Sequence, residues 1–152
     1  MCTANRYRGG PVTNHVPTAG LPGRFYDDTA RQARREMWSG RLSTEEARQQ
    51  VRVARHGDEI VGFVAFGPST EHQGHPPVRD EQLIALYVLS LCYGEAVGQA
   101  LLDEALGGRP AQLWAKDNLR ACRFYDKNGF VNDGTEQIDP DLDGLVEVRM
   151  IR

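Results

Sequence analysis

Cysteine is scarce in this sequence, and its three cysteines, Cys2, Cys92 and Cys122, lie at no spacing typical of a metal site. An odd number of isolated thiols predicts reduced side chains and a cytoplasmic protein. Long apolar runs are also missing, because no segment approaches the roughly 20 apolar residues of a membrane-spanning helix. The opening residues, MCTANRYRGG, contain no apolar segment, so the sequence predicts no secretory signal and no membrane partner.

Basic charge is not in excess, because the sequence has 18 Lys and Arg against 21 Asp and Glu, which gives a formal net charge of −3. A protein that binds nucleic acid through its phosphates normally carries a basic surface. We therefore expect no nucleic-acid partner. The 152 residues, of which 40% are hydrophobic and 26% charged, are typical of one soluble globular domain with its own core.

Regular periodicity begins only after the N-terminal part of the chain. Residues 1–23 contain four Gly and three Pro, so we predict an irregular arm over residues 1–26, followed by a helix at 27–39. From residue 51 the pattern predicts the order ββ–β–α–β–α–β–β, which is an α/β fold with a mixed sheet. Its third strand, at 83–89, is apolar enough to be buried on both faces.

Small residues separate the strand at 83–89 from the helix that follows it. Gly94, Ala96 and Gly98 allow the backbone to approach a ligand closely, and the first amides of a helix lack intrahelical partners. Together with the helix dipole, they indicate a site for a phosphate or pyrophosphate. A helix packed tightly on its own strand would use the same small residues, so the loop alone leaves both interpretations open.

A second stretch, from Asn118 to Phe130, fits the pattern N-x-x-A-x-x-F-Y-x-x-x-G-F at every fixed position. Here the sequence resembles the GNAT superfamily of acyl-CoA N-acyltransferases, over residues 51–152. The resemblance implies a mixed, mostly antiparallel sheet with helices on both faces. The family's first strand and helix are not evident in residues 1–26, so we expect this edge of the fold to be reduced.

The resemblance implies where CoA would bind. The family's pyrophosphate loop, Gln/Arg-x-x-Gly-x-Gly/Ala, falls on residues 93–98, and the backbone amides of residues 94–99 would hold the pyrophosphate. Pantetheine would insert where Leu86–Leu89 diverges from the strand at 112–116. The expected cofactor-binding residues are Leu86, Tyr87, Val88, Leu89, Tyr93, Gly94, Glu95, Ala96, Val97, Gly98, Gln99, Asn118, Ala121, Phe124 and Tyr125. Tyr93 and Glu95 depart from the family, because neither supplies the usual basic or neutral polar side chain.

The resemblance also implies catalytic roles. When an amine attacks a thioester, the leaving thiolate needs a proton, and a phenol with a pKa of about 10 can supply it. Tyr125 is the expected donor, with core packing beside Phe124 as the alternative. The attacking amine must be neutral, so a general base is expected as well. Glu81, at the entry of the central strand, is the candidate base. Alternatively, it is a solvated residue at the end of a strand and has no catalytic role.

Two histidines, His72 and His75, lie in the loop at residues 67–80, which is unusually long for a small domain. Without a supporting carboxylate or cysteine pair they make a poor zinc site, so no metal is expected. They could titrate near neutral pH and border the acceptor pocket. Alternatively, both histidines are exposed loop residues without a function.

These observations predict an N-acetyltransferase that moves an acetyl group from acetyl-CoA directly to a primary amine. The sequence does not name the acceptor, which could be a small amine, an amino acid, an aminoglycoside-like antibiotic or a protein N-terminus. One alternative is a GNAT-like module that binds CoA or acyl-CoA with little turnover, and another is an interaction partner that keeps only the scaffold. A homodimer is expected because the reduced N-terminal edge would otherwise be exposed.

Overall fold

A computed structural model describes residues 3–6, 27–116, 119–139 and 144–152. The elements, in chain order, are β1 (Thr3–Arg6), α1 (Asp28–Arg41), α2 (Glu45–Gln49), β2 (Val51–His56), β3 (Glu59–Pro68), β4 (Glu81–Val88), α3 (Val97–Ala105), β5 (Gln112–Lys116), α4 (Leu119–Lys127), β6 (Val131–Asp139) and β7 (Leu145–Ile151). From β2 onward this is the predicted order of strands and helices.

The strands form one sheet in the order β1-β2-β3-β4-β5-β7-β6. The pairs β1–β2, β2–β3, β5–β7 and β6–β7 are antiparallel, whereas β4–β5 is parallel. The expectation of a mixed, mostly antiparallel α/β fold is therefore confirmed.

The prediction of an irregular arm is wrong at Thr3–Arg6, which form a strand, although this strand has only four residues. β1 pairs with β2 from Thr3–Arg55 to Arg6–Arg52, so this strand is part of the sheet. The periodicity could not reveal it, because a strand of four residues, TANR, has no apolar alternation and is defined by its backbone hydrogen bonds. β1 is then the edge strand of the sheet, and the expected homodimer stays a prediction. The rest of the predicted arm lies outside the described residues.

The first two helices begin at the side chains that favour helix starts. Asp27 Oδ1 accepts from the Ala30 amide at 2.8 Å, and Thr44 Oγ1 accepts from the Ala47 amide at 3.2 Å. The predicted start of α1 is confirmed, and the helix continues two residues beyond the predicted end, to Arg41. Helix ends are the least sharply encoded part of a helix, since terminal turns fray.

The chain divides into two compact units, one formed by Met1–Ala65 with Leu86–Ala105, the other by Phe66–Ala85 with Leu106–Arg152. In the first unit α3 buries one stripe of its surface and contacts β2. The stripe consists of Val97, Leu101, Leu102 and Ala105. In the second unit the largest fully buried side chains are Leu106, Leu113, Phe130, Val148, Met150 and Gln112. Predicted site residues occur in both units, and each unit is described by itself.

Candidate functional site

In the first unit, the chain between β4 and α3 is not the continuous passage from strand to helix that the sequence predicts. The Leu89 amide donates to the Val61 carbonyl at 2.8 Å, and a 3₁₀ turn follows at Ser90–Cys92. The Cys92 amide donates to Leu89 O at 2.9 Å and the Tyr93 amide to Ser90 O at 3.2 Å. These short-range bonds separate the end of the strand from the helix start.

Two residues just before α3 have left-handed backbone conformations, Gly94 with φ of 88° and Ala96 with φ of 59°. For alanine this conformation costs about 1 kcal/mol. A left-handed residue followed by a helical one, here Ala96 and then Val97, directs successive amides toward one point and makes an anion-binding concavity. The Ala100 amide donates to Ala96 O at 2.9 Å in the first turn of α3. The amides of Val97 and Gly98 come before Ala100 and have no acceptor within the helix.

These angles change how the family pattern fits the loop. Gly98 lies within α3 and is not among the glycines with positive φ, whereas residues 94 and 96 both are left-handed. The pattern Gly-x-Gly/Ala therefore fits residues 94–96 better than 96–98, which places Leu91 rather than Tyr93 at the Gln/Arg position. The side chain of Leu91 is 87% exposed, and Glu95 is exposed as well. In either placement the basic or amide side chain of the family is absent from this position.

The remaining predicted residues of the first unit flank this loop. Leu86, Val88 and Leu89 are half-buried, while Tyr87 is exposed and lies against Phe63, with ring centroids 5.2 Å apart. Gln99 lies in the first turn of α3, half-buried, and donates to Asp103 Oδ1 at 2.9 Å.

In the second unit, the parallel register of β4 with β5 consists of Gln82–Gln112 and Leu83–Leu113. β5 continues to Lys116, and over its whole length it pairs with β7 on the other side. The pairing of β5 with β4 therefore ends at Leu113, whereas β5 itself ends at Lys116.

Tyr125 lies near the end of α4, which closes in a Schellman motif. The Phe130 amide donates to Tyr125 O at 3.1 Å and the Gly129 amide to Asp126 O at 3.0 Å, with Gly129 at φ 81°. Tyr125 is half-buried, as are Ala121 and Phe124 on the same helix. Asn118, the first residue of the family pattern, lies outside the described residues.

Glu81, the predicted base, forms an ion pair at the start of β4. Arg109 Nε lies 3.1 Å from Glu81 Oε1 and 3.0 Å from Oε2. The pair is exposed, with 36% of the Glu81 side chain accessible. A base role for Glu81 stays a prediction, and it would require the carboxylate to work in competition with this cation.

The loop between β3 and β4 turns tightly at His72–His75. The His72 amide donates to His75 O at 3.0 Å and the His75 amide to His72 O at 2.9 Å. Gln73 and Gly74, with φ of 46° and 84°, are both left-handed, as in a type I′ turn. The rings of His72 and His75 lie 4.9 and 5.3 Å from that of Trp114 in β5.

His72 meets two polar side chains from β6 and β7. Its Nε2 lies 3.1 Å from Glu147 Oε2 and 2.7 Å from Gln137 Nε2, which also donates to Glu147 Oε2 at 2.7 Å. Gln137 and Glu147 are register partners and therefore share a face of the sheet. Sequence reasoning missed both, although the alternation of β7 places Glu147 opposite the buried Val148.

A second ion pair lies on the same two strands. Arg149 Nε donates to Asp133 Oδ2 at 2.7 Å, and the Thr135 amide donates to Asp133 Oδ1 at 2.9 Å. Burial alone would raise the pKa of Asp133, but the hydrogen bonds from Thr135 and Arg149 outweigh it and hold this pKa below its usual value. The guanidinium carbon of Arg149 also lies 5.8 Å from the centre of the Trp114 ring.

Within the described ranges, no three His, Cys, Asp or Glu side chains are grouped as a metal site would require. None of the helices in those ranges has the length and apolar character needed to span a membrane.

Comparison with known proteins assigns the family. The model of the acetyltransferase (GNAT) domain matches residues 47–132, more than half of the sequence. The chain belongs to the GNAT acetyltransferase family, so it is an acyltransferase by class. No curated protein sequence matches it.

Solved structures have the same fold. PH1933 from Pyrococcus horikoshii OT3 is similar over 100% of this chain and 98% of its own, with a TM-score of 0.71 and 21% identity. The histone acetyltransferase HPA2 and related acetyltransferase from Corynebacterium glutamicum ATCC 13032 covers 82% of this chain and 76% of its own, with a TM-score of 0.64 and 25% identity. The NatC complex bound to Gag peptide and CoA covers 76% and 77%, with a TM-score of 0.60 and 15% identity.

Proposed function

We propose that this protein is an acetyl-CoA-dependent N-acetyltransferase that acetylates the primary amine of an acceptor by direct transfer. The observation that carries the proposal is the backbone before α3, where left-handed Ala96 precedes the amides of Val97 and Gly98. Such a concavity suits the diphosphate of CoA, because its donors are backbone groups that need no basic side chain. A CoA-bound structural neighbour supports the same choice of co-substrate.

Most of the predicted binding residues have a role in this proposal. The amides of residues 94–99 hold the pyrophosphate, and the strand Leu86–Leu89 offers backbone groups to pantetheine. The early end of the β4–β5 register, at Leu83–Leu113, supports insertion of an extended ligand arm beside β4. Ala121 and Phe124 contribute contacts from α4, and the family resemblance adds Asn118 as an expected contact.

The proposed chemistry needs a proton donor for the leaving group. Acetyl-CoA supplies an acetyl group activated as a thioester. Tyr125, held at the end of α4, donates its phenolic proton as the carbon–sulfur bond breaks and the thiolate forms. Backbone amides of β4 near Leu86–Val88 stabilise the oxyanion, and binding both substrates together supplies the orientation that direct transfer requires.

A module that binds CoA with little turnover is the second candidate. Glu95 motivates it, because an exposed carboxylate beside the proposed pyrophosphate site departs from the pattern of the active family. The positions where the family carries Gln or Arg hold Leu91 or Tyr93, so no cation compensates there.

Two measurements on the wild-type protein test the proposal. Acetyl-CoA should raise the melting temperature, since it binds only the folded chain. Thiol release should then follow with one or more amines from a panel containing a small primary amine, an amino acid, an aminoglycoside and a peptide with a free N-terminus. Stabilisation without thiol release would support the binding module, whereas absence of stabilisation would contradict both candidates.

A further inference from the structure

The carboxylate–imidazole pair formed by Glu147 and His72 has a geometry that the family resemblance did not lead us to expect. His72 Nε2 and Glu147 Oε2 are 3.1 Å apart, with 14% of the Glu147 side chain and 37% of the His72 side chain exposed. The carboxylate is therefore largely shielded from water, while the imidazole can be reached from solvent. A pair of this kind orients the ring and stabilises the imidazolium when it forms.

The two tautomers of His72 satisfy different neighbours. In one tautomer Nε2 carries the proton and donates it to Glu147 Oε2, 3.1 Å away, because an ionised carboxylate only accepts hydrogen bonds. Nδ1 then has the lone pair and can accept a proton. In the opposite tautomer, Nε2 would accept from Gln137 Nε2, 2.7 Å away, and no basic nitrogen would be presented.

A buried acceptor without a donor lies beside this pair. Gln137 is 8% exposed, and its Oε1 has no hydrogen-bond partner in the described part of the chain. Because the protein encloses this atom, leaving it without a donor is unfavourable.

The imidazole is also held in place by its surroundings. The turn at Gln73 and Gly74 fixes the backbone of His72, and the Trp114 ring supports one face of the imidazole at 4.9 Å. A base held by a rigid turn and an aromatic contact keeps its orientation while the substrate approaches.

We propose that His72, oriented by Glu147, is the general base of the transfer reaction. The proposal rests on the proposed acetyl transfer. The acceptor's ammonium gives one proton to His72 Nδ1 and becomes a neutral amine. Its lone pair then forms the carbon–nitrogen bond, and the carbon–sulfur bond breaks with its electron pair on sulfur. The nitrogen loses its second proton to water as the amide forms, and His72 returns the first proton to solvent. Tyr125 protonates the sulfur and regains a proton from solvent.

The charged and titratable groups around His72 favour proton transfer from the acceptor's ammonium to this imidazole. Glu147 is the nearest charge. From β5 and β7, Lys116 lies opposite Glu147 in register, and Arg149 lies over Trp114 but is paired with Asp133. From its own loop, Glu71 is adjacent in sequence and His75 lies on the same Trp114 ring. An imidazolium at His72 is thus closest to a carboxylate, which stabilises it.

The test is kcat/KM for thiol release as a function of pH, with a matched control in the same turn. His72→Gln keeps a group that can donate to Glu147 but has no basic nitrogen, so turnover should fall by about 10²–10⁴-fold and the loss of activity on the acid side should disappear. His75→Gln, on the same Trp114 ring, should stay within about threefold of wild type. Acetyl-CoA affinity should not change in either variant.

A second variant separates orientation of the base from stability of the fold. Glu147→Gln should lower kcat at least about tenfold, with little change in KM, because the imidazole loses its orienting acceptor. Suppose that the wild type is active and that His72→Gln has a kcat/KM within about threefold of it, with the same pH profile. That result would overturn the role of His72 and leave the proposed acetyl transfer intact. If His72→Gln did not fold, a Glu147→Gln variant with the pH profile of the wild type would likewise overturn the role of His72. A wild type that releases no thiol with any amine would overturn both proposals.

Discussion

Tyr125 and Phe130 are joined twice, by the hydrogen bond from the Phe130 amide to Tyr125 O at 3.1 Å and by a T-shaped ring contact at 5.8 Å. Phe130 is fully buried, so it anchors the helix end to the core. Gly129 between them takes the left-handed conformation that the motif needs. The pattern F-Y-x-x-x-G-F is thereby explained physically as a helix end that fixes the position of Tyr125.

Removal of the Tyr125 hydroxyl tests the proton donor. Tyr125→Phe keeps the ring contacts, so the fold and the affinity for acetyl-CoA should change little, while turnover should fall by about 10²–10⁴-fold. Wild-type activity should also decline at high pH as a phenol ionises. Steady-state thiol release and calorimetric binding measure these effects. If Tyr125→Phe retained more than about a third of wild-type turnover, Tyr125 would be a packing residue.

The helix end makes a separate prediction about stability. Gly129→Ala places a Cβ at φ 81°, where it meets the flexible Arg152 side chain at 3.4 Å, so the cost is mainly conformational. Unfolding in urea should show a loss of about 1–2 kcal/mol. Gly108→Ala, which has open space and no positive φ, should change stability by less than about 0.5 kcal/mol. Equal effects of the two substitutions would contradict the role of the Schellman motif.

Strong apolar patterns and turn residues made most of this fold predictable. The strand Gln112–Lys116 and the helix that ends before Asn128-Gly129 agree with the prediction, because alternation, apolar stripes and Gly turn signals coincide there. β1 could not be found, since its four residues are placed by hydrogen bonds to β2, which composition does not encode.

The candidate site was only partly accessible to sequence reasoning. Tyr125 belongs to the local pattern that carries the family resemblance, and that resemblance suggested its role. The contact of His72 with Glu147 and Gln137 joins residues that are 75 and 65 positions apart. Such a contact depends on the register of β6 with β7 and on the fold of a loop, neither of which follows from periodicity.

The ion pair of Asp133 predicts a contribution to acid stability. Its pKa is lowered in the folded state below the ordinary value of 3.8. A depressed carboxylate pKa adds stability above the unfolded pKa, and this contribution is lost as the pH falls through the folded pKa. Asp133→Asn should therefore be less stable than wild type at neutral pH, with the difference narrowing under acid conditions in urea titrations. Asp126→Asn on α4 is the exposed control, and a gap independent of pH would contradict the prediction.

The left-handed conformation of the loop before α3 predicts a defect confined to cofactor binding. In Gly94→Val a Cβ would meet nothing within 4 Å, so only the φ of 88° opposes the substitution. Distortion of the amide concavity should weaken acetyl-CoA binding by about tenfold, which corresponds to a cost of about 1.4 kcal/mol. Gly57→Val is the control, with φ 60° and the same open space in the turn between β2 and β3. It should lower stability but leave affinity unchanged, and equal losses of affinity would contradict the assignment of the loop.

Glu95 predicts a gain of affinity upon substitution. Because the side chain is exposed and adjacent to the proposed pyrophosphate site, its repulsion of the diphosphate is partly screened by water and salt. Glu95→Gln and Glu95→Arg should then bind acetyl-CoA up to a few-fold more tightly, the scale of about 1 kcal/mol or less. Calorimetry at low and high salt measures this, with Glu104→Gln near the end of α3 as the control. The gain should shrink as salt rises, and weaker binding in both Glu95 variants would mean that this carboxylate supports the loop or faces the acceptor.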